Sequence, residues 1–167
     1  YIHMIILGLD LSTSITGATV LDEGGNTLFC EAWDTRNKKN FPTLFHKAQF
    51  VCNKILNLQY PIGKVYIEQP LMYLARGGSS AKVMAMLQKF NGMVSWACWS
   101  DLNIEPEYLI SATARKLSGL KIPRSQKAKE VVLQYFLDNG NEIEYTRQGN
   151  PAPGSYDKAD SWIVAKA

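Results

Sequence analysis

Residues 4–22 read MIILGLDLSTSITGATVLD, and this stretch decides how the rest of the chain can fold. Its first part, 4–10, is a short apolar run that ends in an acid, as expected of a buried strand. Residues 17–22 have the same character and predict a second strand. The Gly-Gly-Asn sequence at 24–26 favours a hairpin turn into a third strand, 27–33, because glycine and asparagine adopt positive φ most easily. The chain is therefore expected to open with an antiparallel meander of three strands.

Beyond the meander, helical and strand patterns alternate. Apolar residues recur at helical spacing over 41–60, and 64–68 is a short strand that Pro70 stops. The further predicted elements are a helix over 79–100, a strand over 105–110, helices over 111–117 and 124–137 with N-caps at Ser111 and Ser125, and a final helix over 156–167. This order predicts a single α/β domain with a five-stranded mixed sheet, in which parallel strands follow the meander across helical crossovers.

The composition is typical of a soluble globular domain. Of the 167 residues, 46% are hydrophobic and 20% are charged, which excludes a disordered or fibrous protein. No apolar run approaches the roughly 20 residues of a membrane span, so no membrane partner is expected. The three cysteines form no CxxC pair, which argues against a zinc site and favours a reducing, cytoplasmic location. The His-Met sequence at 3–4 is common at cloning sites, so 1–3 are interpreted as a cloning remnant and 4–167 as the domain.

The charges are distributed unevenly, although the net charge is only +3. Residues 35–100 carry nine basic side chains and one acid, Glu68, while residues 108–129 carry six basic side chains and no acid. An acid at the end of an apolar strand in such surroundings is either the ion-pair partner of a nearby Lys or Arg or part of a functional site. Long basic stretches favour a polyanionic partner.

Three further acids lie where carboxylates can meet Glu68. Asp10 ends the first strand, where a buried charge needs a partner or a metal, unless it caps the turn at Ser12 or Thr13. Asp157 and Asp160 lie three residues apart on one face of the last helix, where acids also complement the helix dipole. Four carboxylates packed together would repel one another unless cations lay between them, and oxygen ligands favour Mg²⁺ or Mn²⁺ over zinc. Two such ions support phosphodiester hydrolysis.

Three segments resemble, in order, the motifs of the RuvC branch of the ribonuclease H-like superfamily. They are 6–17 (ILGLDLSTSITG), 66–70 (YIEQP) and 156–161 (YDKADS). The order of strands and helices is similar too, so the resemblance covers essentially the whole chain. RuvC proteins are dimeric Holliday junction resolvases that cut two opposed strands of a four-way DNA junction symmetrically with divalent metal. The resemblance implies a ribonuclease H-like fold and a homodimeric DNA endonuclease with two Mg²⁺ per active site, for which Mn²⁺ can substitute, and with no nucleotide cofactor.

The resemblance also implies roles for particular residues. The catalytic residues and metal ligands would be Asp10, Glu68, Asp157 and Asp160. The loop that opens the junction centre would contain Leu71, Met72 and Tyr73, although the family often has an aromatic residue where this chain has Leu71. Cellular members favour proline or glycine soon after the first aspartate, where this chain has LSTS at 11–14. These departures predict a divergent, phage-encoded member with looser junction specificity.

Basic side chains outside the acidic motifs are expected to contact the DNA backbone. They are Arg76, Lys82, Arg115, Lys116, Lys121, Arg124 and Lys127. A solvated surface would intersperse acids among the cations of 115–129, and none is present. The loop at 76–80 (RGGSS) is read equally well as a phosphate contact or as a plain helix start. The apolar surface of the 79–100 helix is wide enough to pack on a second subunit, unless all of it belongs to the monomer core.

Three other functions compete with junction cleavage. Residues 7–14 (LGLDLSTS) also resemble the first phosphate motif of sugar kinases and actin-like ATPases. Those proteins need two such lobes and a glycine-rich adenosine motif, which this sequence lacks. The second competing function is that of a broader nuclease of the same fold, acting on branched DNA or RNA–DNA hybrids, and the third is that of a branched-DNA-binding module without cleavage. The presence of all four carboxylates favours a nuclease over the binding module.

Overall fold

Five strands form one mixed sheet in the computed structural model, which describes residues 4–70 and 80–167. The strands are β1 (Ile5–Asp10), β2 (Ile15–Leu21), β3 (Thr27–Asp34), β4 (Ile62–Glu68) and β5 (Glu107–Leu109). Their spatial order is β3-β2-β1-β4-β5. β1, β2 and β3 pair antiparallel, whereas β4 runs parallel to both β1 and β5. The predicted meander, followed by parallel strands, is confirmed.

Helices cover both faces of this sheet. They are α1 (Leu44–Leu56), α2 (Ala81–Leu102), α3 (Ser111–Leu117), α4 (Ala128–Asp138) and α5 (Ser155–Lys166). Leu9 and Ile67 of the sheet pack in the core beneath α1 and α2, whereas Ile6 and Tyr66 pack on the side of α3, α4 and α5. No helix in the described part of the chain combines the length and the apolar character needed to cross a membrane.

The predicted N-caps of α3 and α4 are wrong. The N-cap residues are Ile110 and Lys127, and neither helix has a side-chain cap. Residues 123–126 form a separate turn, closed by a 3.1 Å hydrogen bond from the Gln126 N–H to the Pro123 carbonyl, so α4 starts four residues later than predicted. The Ser111 hydroxyl donates to Glu68 instead of capping α3.

Helix α5 lies directly on the backbone of β1 and β2, at two glycines. A Cβ atom at Gly8 would lie 2.5 Å from the Cβ of Ala165, and one at Gly17 would lie 2.0 Å from the carbonyl oxygen of Asp157. Real Cβ contacts are essentially never this short. The absence of side chains at these two strand positions therefore sets the distance between α5 and the sheet.

Two features fix how α5 lies on the sheet. A buried pair of hydroxyl groups fixes the rotation of α5 about its axis, and a glycine with positive φ sets the direction in which the helix starts. The Ser161 hydroxyl donates to the Lys158 carbonyl at 2.8 Å and lies 2.8 Å from the Thr19 hydroxyl of β2. Gly154 precedes the helix with φ of 90°, and a Cβ there would lie 2.5 Å from the Cβ of Ala32. These contacts determine which face of α5 turns toward the end of β1.

Replacing Gly17 by alanine is expected to destabilise the protein by about 1–3 kcal/mol. The new methyl group would clash with the backbone of Asp157, and only a movement of α5 away from the sheet would relieve the clash. Urea unfolding followed by circular dichroism measures this. Gly92→Ala is the matched control, since Gly92 lies inside α2 and a Cβ there would meet no atom within 4 Å. The control should be unchanged or up to about 1 kcal/mol more stable. Equal destabilisation of both variants would contradict the role given to Gly17.

Candidate active site

Asp10 and Glu68 end two neighbouring strands side by side. Leu9 and Ile67 are partners in the parallel pairing of β1 with β4, and Asp10 and Glu68 directly follow them. Side chains alternate between the faces of a sheet, so both acids lie opposite the core-facing Leu9 and Ile67, on the α5 side. Their carboxyl groups lie close enough for the charge of Glu68 to raise the pKa of Asp10. The sheet register alone therefore brings the first two acids together.

Helix α5 brings the other two acids to the same place. Gly17 is the antiparallel partner of Asp10, and the carbonyl of Asp157 packs on Gly17. Asp160 follows three residues later on the same helix face. All four acids are partly buried. The structure thus brings together every acid that the sequence singled out.

Burial and mutual repulsion raise the pKa values of these acids. Burial is the main reason that the pKa of Asp10 lies well above its ordinary value, and Glu68, Asp160 and Asp157 raise it further. Burial also raises the pKa of Asp160 to about 7, with added repulsion from Glu68 and Asp157. The pKa of Asp157 is raised by burial and, to a lesser extent, by Glu68. The acids therefore lie near enough for their charges to repel one another.

Basic residues surround the acids without pairing with them. Arg115 and Lys129 partly offset the raised pKa of Asp160, and Lys129 and Arg36 act in the same sense on Asp157. Within residues 4–70 and 80–167, no Lys or Arg lies within the 4.0 Å ion-pair distance of any of the four acids. The ion-pair explanation of Glu68 is therefore not supported by the described residues.

Arg36 and Lys129 are held by other groups. The Arg36 guanidinium binds both carboxylate oxygens of Asp34, at 2.7 and 3.0 Å. The Lys129 ammonium lies 4.3 Å from the centre of the Tyr156 ring. Lys129 was one of the cations of 115–129 that the sequence favoured for DNA contact, whereas Arg36 was not singled out. The sequence did not place either residue near the acids, because their distance from the acids depends on how β3 and α4 pack beside α5.

Ser111 belongs to the site, although the sequence predicted it only as the N-cap of α3. Leu109 of β5 is the parallel partner of Glu68, and α3 begins two residues later. The Ser111 hydroxyl is thereby placed to donate to Oε1 of Glu68. Only the register of β5 against β4 reveals this contact.

The four acids do not yet converge on a single point. In the part of the chain that the structure describes, no group of three Asp, Glu, His or Cys side chains is arranged to hold a metal ion. The carboxylate of Glu68 instead accepts a hydrogen bond from the Ser111 hydroxyl.

The basic residues predicted to contact DNA occupy several places. Arg115, Lys116 and Lys121 line one groove of about 310 Å³, together with Leu120 and Ile122. Lys127 lines a second groove along α4. Arg124 is exposed in the turn before α4, and Lys82 is exposed in the first turn of α2. Leu71, Met72, Tyr73 and Arg76 lie outside the described residues.

The arrangement of sheet and helices is found in solved structures. Thermus thermophilus RuvC in complex with a Holliday junction substrate superimposes with a TM-score of 0.67 at 15% sequence identity, over 98% of this chain and 91% of that one. This chain has the RuvC fold. A second T. thermophilus RuvC structure gives a TM-score of 0.64 at 15% identity, over 98% of this chain and 92% of that one. The ribonuclease H-like architecture expected from the sequence is confirmed.

The yeast mitochondrial Holliday junction resolvase Ydc2 is also similar, with a TM-score of 0.58 and 11% identity over 96% of this chain and 75% of that one. No family model and no curated protein matches the sequence. The likeness to RuvC and Ydc2 is therefore a likeness of fold at low sequence identity.

The raised pKa values predict how the site affects stability. An acid whose pKa is higher in the folded protein than in the unfolded chain makes the folded state less stable as pH rises between the two values. For Asp160 this range runs from near 3.8 to about 7. Asp10→Asn should therefore raise the Tm at pH 8 in EDTA by about 2–4 °C, the effect of about 1 kcal/mol in a domain of this size.

The same substitution should give a smaller gain near pH 4, where the acids are protonated in both states. Differential scanning calorimetry from pH 4 to pH 8 measures the difference, with the exposed Asp138→Asn as control. A uniform loss of stability in Asp10→Asn at every pH would show that the acids do not repel one another.

Proposed function

We propose that the protein is a metal-dependent DNA endonuclease that resolves four-way junctions by symmetric cuts. The observation that carries this proposal is Asp10, paired with Glu68 at adjacent strand ends and approached by Asp157 and Asp160 from α5. The support from the fold is the solved RuvC structure that contains a Holliday junction substrate.

The donor set fits Mg²⁺, with Mn²⁺ as a substitute and two ions per site. Asp10, Glu68, Asp157 and Asp160 offer only carboxylate oxygens, which hard divalent cations prefer. The raised pKa of Asp10 reflects, besides burial, repulsion from the other three acids, which a cation would relieve. When bound, the ions would activate water and stabilise the leaving oxygen in phosphodiester hydrolysis.

The surrounding residues would position the substrate and the acids. Arg115 and Lys129 lie close enough to affect the pKa of Asp160 and are free of ion pairs with it, so they are placed to bind a DNA phosphate next to the acids. Ser111 would hold the carboxylate of Glu68 in one orientation through its hydroxyl. The groove formed by Arg115, Lys116 and Lys121 would continue the contact along the DNA backbone.

Symmetric cuts on opposed strands require two active sites, and α2 supports a homodimer. Phe90 and Val94 of α2 are fully buried in the core. Val83 lies on the same side of the helix about two turns earlier, yet it is 45% exposed, and Met86 is 39% exposed. The apolar stripe thus extends beyond the part that residues 4–70 and 80–167 cover, which favours a second copy as its partner.

Asp10→Asn should lower junction cleavage by at least about 10³-fold, because it removes one ligand charge from the reaction centre, while junction affinity stays within about threefold. Denaturing gels measure cleavage of synthetic four-way, three-way, forked and linear DNA and of an RNA–DNA hybrid, with Mg²⁺ or EDTA. The wild type should nick opposed strands of the four-way junction at equivalent positions.

The cleavage pattern over these DNA substrates decides between the competing functions. Preference for forks or hybrids would support a broader nuclease, and tight junction binding without cleavage would support a binding module. Full activity of Asp10→Asn with Mg²⁺ would rule out the assigned site.

Ser111→Ala should raise the Mg²⁺ concentration needed for half-maximal cleavage by about 10-fold, since residues that orient metal ligands typically have effects of this size. Electron paramagnetic resonance of free Mn²⁺ should show the same weakening without DNA. Ser111→Thr keeps the hydroxyl and should restore both values. If Ser111→Ala binds Mn²⁺ like the wild type, the hydroxyl does not position Glu68.

The cationic groove is tested by salt dependence. Replacing Arg115, Lys116 or Lys121 by alanine should weaken binding to any DNA sequence and reduce the slope of log affinity against log salt concentration by about 1 for each lost phosphate contact. Fluorescence anisotropy at salt concentrations from about 50 to about 200 mM measures the slope. Lys54→Ala on α1 is the control for an equal loss of charge. An unchanged slope would show that the groove does not contact DNA phosphates.

A further inference from the structure

A groove of about 510 Å³ opens where β3 ends, and we call it the Arg36 groove. Its lining residues are Asp34, Arg36, Asn37, Asn40 and Phe41. β1 and β3 both run antiparallel to β2, so they end at the same edge of the sheet. The Arg36 groove therefore opens on the edge that carries Asp10, on the side away from β4 and Glu68.

Hydrogen bonds hold the end of β3 against the turn between β1 and β2. Thr35 is only 1% exposed, and its N–H donates to the Ser14 carbonyl at 2.8 Å. The Thr35 hydroxyl lies 3.2 Å from the carbonyl oxygens of Thr13 and Ser14. The Lys47 ammonium of α1 also donates to the Thr13 carbonyl. Arg36 thus directly follows a residue that is anchored to the turn between β1 and β2.

The start of α5 lies close to the same strand. Gly154 precedes α5 and packs on Ala32 of β3, since a Cβ at Gly154 would lie 2.5 Å from the Cβ of Ala32. Asp157 lies in the first turn of the helix. Burial raises the pKa of Asp157, and the positive charges of Lys129 and Arg36 act against this rise. The Arg36 groove therefore begins close to the acids.

Asp34 fixes the orientation of the Arg36 guanidinium. The Nε and Nη2 groups donate to the two carboxylate oxygens of Asp34 at 3.0 and 2.7 Å, and the backbone N–H of Arg36 donates to the same carboxylate at 3.0 Å. The donors of Nη1 and one donor of Nη2 remain for another acceptor. The Arg36 side chain is 54% exposed, so these donors are accessible. An arginine that is already held in one orientation loses less freedom when it binds a ligand.

The charge around the Arg36 groove favours an anion with several oxygen atoms. Arg36, Lys38 and Lys39 are exposed at this end of the sheet, and no acid occurs over 35–67. The fixed fork of a guanidinium matches the oxygens of a phosphate in bidentate geometry. A backbone phosphate of a nucleic acid therefore fits the Arg36 groove.

The acids lie between two basic surfaces. Arg115 lies on α3, which follows β5 at one edge of the sheet, and Arg36 follows β3 at the other edge. Neighbouring strands are about 4.8 Å apart, so β3 lies roughly 10 Å from β1. Phosphates of one DNA strand are about 3.4 Å apart along the helix axis, so this distance corresponds to about three nucleotides. One DNA strand that crosses this end of the sheet can therefore contact Arg115, the acids and Arg36 in turn.

We propose that Arg36, held by Asp34, anchors the cut DNA strand through a backbone phosphate within about three nucleotides of the scissile phosphodiester. This inference rests on the proposed function. Phosphate contacts fix the register of a protein on DNA without reading the bases. The Arg36 groove thus determines which phosphodiester lies at the acids, whatever the sequence. Asp34 is the positioning residue in this arrangement, because it acts only through Arg36.

Neutral backbone linkages locate the anchored phosphate. Four-way junctions carry a single methylphosphonate, which removes the charge of one phosphate, at successive positions on both sides of the cut. Fluorescence anisotropy measures their affinity with Ca²⁺ in place of Mg²⁺, and gels confirm that the DNA stays intact. One neutral linkage within about three nucleotides of the cut should weaken wild-type binding by about 10-fold, as expected for the loss of one charge-assisted contact.

Arg36→Ala should weaken binding of the unmodified junction by about 10-fold and abolish the effect of that one linkage, because the two changes remove the same contact. Arg36→Lys keeps the charge without the fork and should reduce the effect to about threefold. Lys54→Ala on α1 removes an equal charge and should keep the full effect. With Mg²⁺, Arg36→Ala should spread the cuts over neighbouring phosphodiesters, which sequencing gels resolve.

Asp34→Asn separates positioning of Arg36 from simple repulsion of DNA. If Asp34 only repelled DNA, its neutralisation would tighten binding and leave the effect of the neutral linkage unchanged. We expect instead that the effect falls to about threefold or less, because an amide holds the guanidinium less firmly than a carboxylate does. Asp34→Glu keeps the carboxylate and should bring the effect back above about fivefold.

Two results would overturn the inference. One is that no neutral linkage near the cut has an effect that depends on Arg36, and the other is that Asp34→Asn binds DNA more tightly with the full effect retained. Circular dichroism checks the fold of each variant, and Arg36→Lys decides the matter if Arg36→Ala does not fold. Failure of the proposed function looks different, because the wild type would then show the effect that depends on Arg36 with Ca²⁺ and still cut no junction with Mg²⁺.

Discussion

The candidate site depends on the close contact between α5 and the backbone of β1 and β2. Two of the four acids belong to the sheet and two belong to α5, so their spacing is the spacing between these layers. Gly8 and Gly17 permit that spacing, and the carbonyl of Asp157 rests where a side chain at Gly17 would lie. The hydroxyl contact between Thr19 and Ser161 fixes the rotation of the helix. A fold with ordinary side chains at these positions would keep the sheet but separate the acids.

The close approach of the four acids is unfavourable for folding, and the packing around them maintains it. Burial of acids raises their pKa values, that of Asp160 to about 7, and no described cation pairs with them. The apolar side of α5 supplies the opposing contribution, because Trp162, Ile163 and Val164 are almost completely buried with α4 and the sheet. Proteins commonly keep such locally destabilising arrangements where function needs them. Arg36, Arg115 and Lys129 lie near the acids but outside ion-pair distance of them. This spacing suits a site that must bind both cations and a phosphate.

Local patterns predicted the features that neighbouring residues determine. Apolar strands, turn residues and helical spacing were enough for the meander, the element order and the mixed sheet, and the motifs marked all four acids. The contact between Ser111 and Glu68 spans 43 residues of sequence, and only the pairing of β4 with β5 creates it. The predicted start of α4 is wrong because Ser125 resembles a cap but belongs to a turn.

The central claim is that the four carboxylates form one divalent-metal site. Anomalous diffraction from crystals of the protein with a four-way junction, soaked in Mn²⁺, tests it most directly. The account predicts Mn²⁺ peaks whose ligands, at about 2.1 Å, include carboxylate oxygens of Asp10, Glu68 and at least one acid of α5. Bound junction with no Mn²⁺ between these acids, or with Mn²⁺ only at other residues, would contradict it.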